Sequence, residues 1–438
     1  MIIHVDMSKD ESVTYKITSI EEFDNLIQGK SQIDNVSKIL IKDITVEDSI
    51  RVPSIPKIQS IEFSSCVFKN YFECYSTEVD LISFEQCTFL GTTHFNSVIS
   101  RRLLLNRCIF NTYTSIIFGT INRLEIDSTF SNLLIGDIKI DTLLFKSNIS
   151  GQVVIEEGQA IEMLKFSNTI ESSGEVNLKR SIVNHICFQN FTNHGILNLQ
   201  NIKSGTSSDT ITAQKLTSSF SLISANLGSA TFLDFDFHSF DKICIENIKI
   251  NNISIYGISF PANSRKIFTD NSFSEKKLDE NKLYEFYNQL HVIMQRQGHR
   301  VNELLYYAEF MKWHLKDLWR KKKNWAMMTS LVLNKISTNY GKSWLQGAIG
   351  TFVIGWVFYF LYTISLPSVN ISLDNANWND TTFFIGEYFN FLNPAHRVDF
   401  MKGLPPNWIA SIWDFLGRIA VGFMIYQTIS AFRRFGIR

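Results

Sequence analysis

FSSCVF at residues 63–68, FEQCTF at 84–89 and LNRCIF at 105–110 are one pattern written three times. An apolar residue is followed by two polar ones, a cysteine, a spacer and a phenylalanine. Phe63, Phe84 and Leu105 stand 21 residues apart. Toward the N-terminus the pattern continues as Ile41/Ile44/Val46. Toward the C-terminus it blurs at Ile126 and near Phe145, Phe166 and Phe188. It is clean again at Ile211/Gln214/Leu216, Phe232/Phe235/Phe237 and Ile253/Tyr256/Ile258, and successive copies lie 19 to 23 residues apart. A fixed period near 20, built of short alternating strands with Asn, Ser and Thr between them, marks a β-solenoid, here a parallel β-helix. One such turn cannot bury its apolar face alone, whereas stacked turns share a continuous core. About eleven coils at roughly 4.8 Å each predict a rod about 50 Å long over residues 39–262.

Cys66, Cys87 and Cys108 hold the same place in three consecutive copies. They read as a metal or redox site, or as an inward ladder of small side chains. With no CxxC pair and no histidine at ligand spacing, the ladder is favoured, since a free cysteine packs as a small hydrophobe. Parallel β-helices also carry polysaccharide-cleaving enzymes. Asp234 and Asp236 alternate with Phe235 and Phe237, with Asp241 close by, so the first two carboxylates share an outward strand face. Paired acids of that chemistry need a groove and an opposing partner. No P-loop, GxGxxG, GxSxG or HExxH sequence occurs, so an enzyme is not expected, nor is a cofactor or metal. Arg101, Arg102, Arg107, Arg123, Lys179 and Arg180 are the candidates for a positive face able to take phosphates.

Residues 1–38 read as an N-terminal cap with one short helix after Glu21-Glu22. Residues 263–343 read as a linker: a helical hairpin, from apolar residues at three- and four-residue steps over 278–294 and 301–318, then a basic cluster Arg320-Lys321-Lys322-Lys323 flanked by Trp319 and Trp325. Aromatic and basic residues together predict a segment lying on a membrane surface.

WLQGAIGTFVIGWVFYFLYTISL, residues 344–366, contains no Asp, Glu, Lys, Arg, His or Pro. As a helix it rises about 1.5 Å per residue, roughly 34 Å in all, enough for a bilayer core of about 30 Å. A second run, 408–432, follows. Segment 344–438 is therefore predicted to be a two-span membrane domain. Ser343, Gly347, Thr351 and Gly355 recur every four residues and form a ridge that admits close helix packing. Residues 380–394 are apolar but too short to cross, which suits a re-entrant helix. Asp414 and Arg418 lie four apart in the second run, able to pair on one helix face. Charges inside a membrane are functional suspects by default. With Glu387 and Asp399 between the runs, they are the pore or gating candidates.

The 438-residue chain carries 42 basic and 42 acidic residues, so total charge points to no partner. Its distribution does: basic residues flank the two runs on the sides of 320–342 and 433–438, which predicts both termini in the cytoplasm and the 367–407 loop outside. The N-terminus MIIHVDMSKDES has early acids and no apolar core, so no signal peptide is expected. The six cysteines are then expected as reduced thiols.

FYNQLHVIMQRQGHRVNELLYYAEFMKWH (286–314), LVLNKISTNYGKSW (331–344) and IWDFLGRIAVGFMIYQTISAFRRF (412–435) together resemble bacterial two-span ion-channel proteins with a cytoplasmic repeat domain. Among these they are most similar to the channel effectors of Hailong-type anti-phage systems. The resemblance covers about residues 280–435 and implies a homo-tetrameric, ligand-gated channel in the bacterial inner membrane. A short DNA oligomer, made by a nucleotidyltransferase encoded nearby, would hold it shut, and loss of the oligomer during infection would open it and arrest growth. No DNA contact is carried over from the resemblance. The other expectation is a membrane-anchored β-solenoid scaffold without a pore, whose signature is tolerance of Asp414→Ala and Arg418→Ala.

Overall fold

A computed structural model describes residues 14–436 apart from several stretches, the longest being 28–35, 206–216, 270–278 and 367–377. The chain divides into two compact units, Met1–Ile293 and Met294–Arg438.

The first unit is a β-solenoid of about 10 turns. Every strand ladder among the described residues is parallel, and register passes from coil to coil: Phe63↔Phe84, Phe68↔Phe89, Leu105↔Phe84, Phe145↔Phe166 and Phe166↔Phe188. Alternation explains the burial, since every second side chain of a strand points inward. In Lys38–Lys42 and Ser60–Ser64, Ile39, Ile41, Ile61 and Phe63 are buried. The inward phenylalanines stack. Phe68, Phe89, Phe110 and Phe130 follow one another at ring spacings of 4.9, 4.5 and 4.5 Å.

The corner residues account for the six-residue pattern. Asp43, Ser65, Gln86 and Arg107 each have φ between 53° and 57°. A single left-handed residue turns the chain, and its amide bonds to the next coil, as Ser65 N does to Glu85 O at 2.9 Å. The residue after each of these corners points inward: Ile44, Cys66, Cys87 and Cys108, all buried. Each thiol faces two carbonyl oxygens, one on its own coil and one on the coil before. For Cys87 these are Glu85 O at 3.4 Å and Phe63 O at 3.5 Å. Ser128 is the next rung, its hydroxyl donating to Leu105 O and accepting from Cys108 N. The cysteines are thus rungs of a small-residue ladder.

Phe188 pairs with Leu222, 34 residues on, rather than with a residue 21 to 23 away. Ile211, Gln214 and Leu216 lie outside the described residues. The spacing between the Phe188 and Leu222 rungs exceeds the repeat, which counting a period does not see.

Helices cover both ends of the stack. Helix α1 (Ile20–Ile27) sets Phe23 edge-on against Phe63. At the other end the ladder runs on to Ile267–Phe268, slightly past the boundary read at residue 262. Helix α2 (Glu280–Arg296) lays Leu283, Phe286 and Leu290 onto the last coils. Phe286 meets Phe260 at 5.2 Å, and Gln289 accepts from Ile250 N at 2.7 Å while donating to Ile248 O at 3.3 Å. Its apolar stripe therefore closes the solenoid.

The second unit is helical: α3 (Arg300–Lys321), α4 (Trp325–Thr338), α5 (Trp344–Ile364), α6 (Trp378–Phe391) and α7 (Trp408–Gly436). Ala308, Leu315 and Leu318 of α3 pack with Met328 and Leu331 of α4 and with Tyr340. The α4–α5 elbow is closed by Gln346, whose amide donates to Ile336 O at 2.8 Å, while Ser343 caps α5 by accepting from Gln346 N. Helices α5 and α7 are long and apolar enough to cross a membrane, and only 28% of each apolar stretch is buried within the chain.

Candidate functional site

The small residues of α5 decide how its neighbours approach. Gly347 lies beside Thr428 of α7, and Gly355 beside Leu392 at the end of α6; a Cβ at either would come within 2.6 Å of those side chains. The ridge read from the sequence thus receives two neighbours. Two tyrosines then lock α6 to α5. Tyr388 donates to Phe352 O at 2.6 Å, and Tyr359 donates to Phe384 O at 2.8 Å. Buried Tyr359, Tyr362, Phe391, Met401 and Ala410 form the apolar cluster where α5, α6 and α7 meet.

Against this cluster sits a group of charged side chains. Asp414 of α7 is 2% exposed. One carboxylate oxygen lies 2.7 Å from His396 Nε2, and the other accepts from Arg418 Nε at 2.9 Å. Asp414 and Arg418 therefore pair one helical turn apart, as their spacing predicts. His396 was not legible in advance. It follows Asn393-Pro394 after α6, and its link to Asp414 spans 18 residues. Asn393 shapes this corner: its side chain accepts from Ala395 N at 3.0 Å and its carbonyl lies 2.6 Å from His396 Nδ1. Both ring nitrogens of His396 thus lie within hydrogen-bond distance of an oxygen. His396 and Asp414 are enclosed, but the Arg418 side chain keeps 24% of its surface exposed.

Glu387 of α6 is half-buried and accepts from Asn390 at 2.9 Å. It takes no part in this cluster. Asp399 lies outside the described residues.

The basic candidates on the solenoid stand among acids. Arg101 reaches Asp80 at 3.3 Å. Arg123 donates to Glu125 at 2.5 Å, and Lys146 contacts the same carboxylate. Burial pushes the Glu125 carboxyl up, but the hydrogen bonds from Lys146 and Arg123 outweigh it and hold the group below its usual range. Arg102 and Arg107 are exposed, Arg107 at a left-handed corner. Lys179 shares a shallow cleft with Asp137 and Glu156, and Arg180 another with Lys203, Asp234 and Asp236. Asp236 also caps the short turn at Phe237–Ser239, and Asp241 accepts from Ser218 N at 3.0 Å, so both acids shape the chain locally. Comparison with known protein families, with characterised proteins and with solved structures finds no match for this chain.

Proposed function

We propose that copies of this chain assemble into a membrane ion channel whose opening is biased by a ligand on the N-terminal β-solenoid. The observation that carries this reading is Arg418. It sits in an apolar helix long enough to span a bilayer, its side chain partly exposed beside an enclosed Asp414–His396 pair. A charge facing lipid tails costs about 2.5–3.5 kcal/mol on insertion scales. The exposed part of this side chain is better placed against water or a second copy, which is where a conduction path would run. The docking of short α6 against the first of two long apolar helices supports the same layout, with Glu387 and Asp399 as further candidates for the path.

The solenoid is a rigid stack, suited to hold a ligand in a fixed geometry. Such a ligand shifts gating only if it binds the open and closed states with different affinity. The likeness in residues 286–314, 331–344 and 412–435 extends the proposal. The channel would be a homo-tetramer in the bacterial inner membrane, with both termini cytoplasmic, serving as an anti-phage effector. A short single-stranded DNA oligomer from a neighbouring nucleotidyltransferase would keep it closed, and its loss would depolarise the cell. Arg101, Arg102, Arg107, Arg123, Lys179 and Arg180 are the residues to test for that ligand.

The test is ion flux from liposomes holding the purified full-length chain, with and without single-stranded oligonucleotides. Flux that oligonucleotides suppress supports the proposal. A wild-type protein that passes no ions in either condition, with Asp414→Ala and Arg418→Ala leaving cellular function intact, replaces the channel with an anchored scaffold. A chain that stays monodisperse without detergent removes the membrane reading altogether.

A further inference from the structure

Helix α4 lies between the basic cluster and the first long apolar helix, and its two sides differ. Met328 and Leu331 are buried against α3. The other side carries Trp325, Thr329, Leu333 and Ile336, at helical steps of four, four and three residues. Trp325 is 73% exposed, Leu333 44% and Ile336 60%. Thr329 adds no unmet polar demand, because its hydroxyl donates to Trp325 O at 2.9 Å. This outward strip holds no charge, yet cations border it. Lys322 ends α3 in a left-handed turn, Lys335 stands near the C-terminal end of α4, and Lys342 follows in the elbow, all exposed. Lys321 and Arg320 both reach the carboxylate of Asp317, at 2.5 and 3.4 Å.

We infer that α4 is an interfacial helix that seats its Trp325–Leu333–Ile336 strip at the headgroup boundary of a membrane leaflet and selects anionic phospholipid through the bordering lysines. An exposed apolar strip with cations at its edges is the arrangement that lies in the plane of a charged leaflet. The elbow favours that occupant: Gln346 of α5 closes the C-terminal end of α4, so α4 ends where the first apolar span begins. This inference rests on the membrane reading of α5 and α7.

The experiment uses the full-length chain with a nitroxide at Ile336→Cys, and separately at Val353→Cys on the exposed side of α5. It is reconstituted in phosphatidylcholine vesicles with and without phosphatidylglycerol. Accessibility to oxygen and to a water-soluble nickel chelate gives label depth. The expected result is a deep label at 353 and a shallow but lipid-embedded label at 336. The latter moves inward when phosphatidylglycerol is added and loses that response in Lys322→Glu/Lys335→Glu. A deep label at 353 with a fully hydrated label at 336 overturns the inference while sparing the membrane reading. Low access to both reagents with spin–spin broadening at 336 assigns the strip to a second copy and overturns it too. Hydrated labels at both positions remove the membrane reading and the inference together. Equal depth in the two lipid mixtures removes the anionic preference.

Discussion

Replacing Asp414 by Asn isolates what the enclosed cluster contributes. The carboxylate takes His396 on one oxygen at 2.7 Å and Arg418 on the other at 2.9 Å. The amide keeps the shape but removes the charge and presents a donor where an acceptor stood. His396 is enclosed, so its unmet nitrogen gains nothing from solvent. Breaking a buried ion pair from one side costs about 3–5 kcal/mol, because the remaining charge stays desolvated. Arg418→Met should cost less, since Asp414 keeps its contact with His396 and the removed side chain is partly exposed. In Asp414→Asn/Arg418→Met one stranded cation is gone, so the double variant should be milder than the sum of the singles by about 1–3 kcal/mol. Unfolding of the detergent-solubilised chain, followed by tryptophan emission, measures all four corners of this cycle. Costs that add within about 0.5 kcal/mol would mean that the two residues do not act as a unit, and the case for a cluster would be lost.

Three further outcomes test the solenoid and the pH response. Phe89 is fully buried between Phe68 and Phe110 at 4.9 and 4.5 Å, so Phe89→Ala should cost about 3–5 kcal/mol, read as a lower denaturant midpoint. At Gly151 a Cβ would come within 1.9 Å of Phe130 O and 2.4 Å of Ser131 O, main-chain atoms that cannot rotate aside. Gly151→Ala should therefore lower the melting temperature far more than Gly158→Ala, where φ is 80° but nothing lies within 4 Å; equal effects would refute the tight stacking. The Glu125 carboxyl sits below its ordinary value of 4.5, so its pairing with Lys146 and Arg123 stabilises the fold above that pH and fades as pH falls through the lowered value. These partners are half-exposed, so the gain is about 1 kcal/mol at most. The melting-temperature gap between wild type and Glu125→Gln should narrow as pH falls below 4.5, and a constant gap would contradict the linkage.

The sequence by itself determined the solenoid and the two long apolar helices. Both are periodic signals carried by neighbours in the chain. A strand alternates every second residue, so Phe63, Phe84 and Leu105 announce one inward row. An uninterrupted apolar run needs no tertiary partner to declare its length. The pairing of Asp414 with Arg418 was legible for the same reason, being one helical turn. What only the tertiary structure decided are contacts between distant segments. The Phe188 rung skips to Leu222, a spacing that exceeds the repeat and that counting a period does not see. The stripe of α2 is spent on closing the solenoid because the last coil leaves apolar residues that something must cover. His396 reaches Asp414 because the chain after α6 turns at Asn393-Pro394, and no local periodicity encodes where that turn delivers a side chain. Charge on the solenoid follows the same division: six basic residues could be counted in sequence, but only the stacking of coils shows which acids stand beside them.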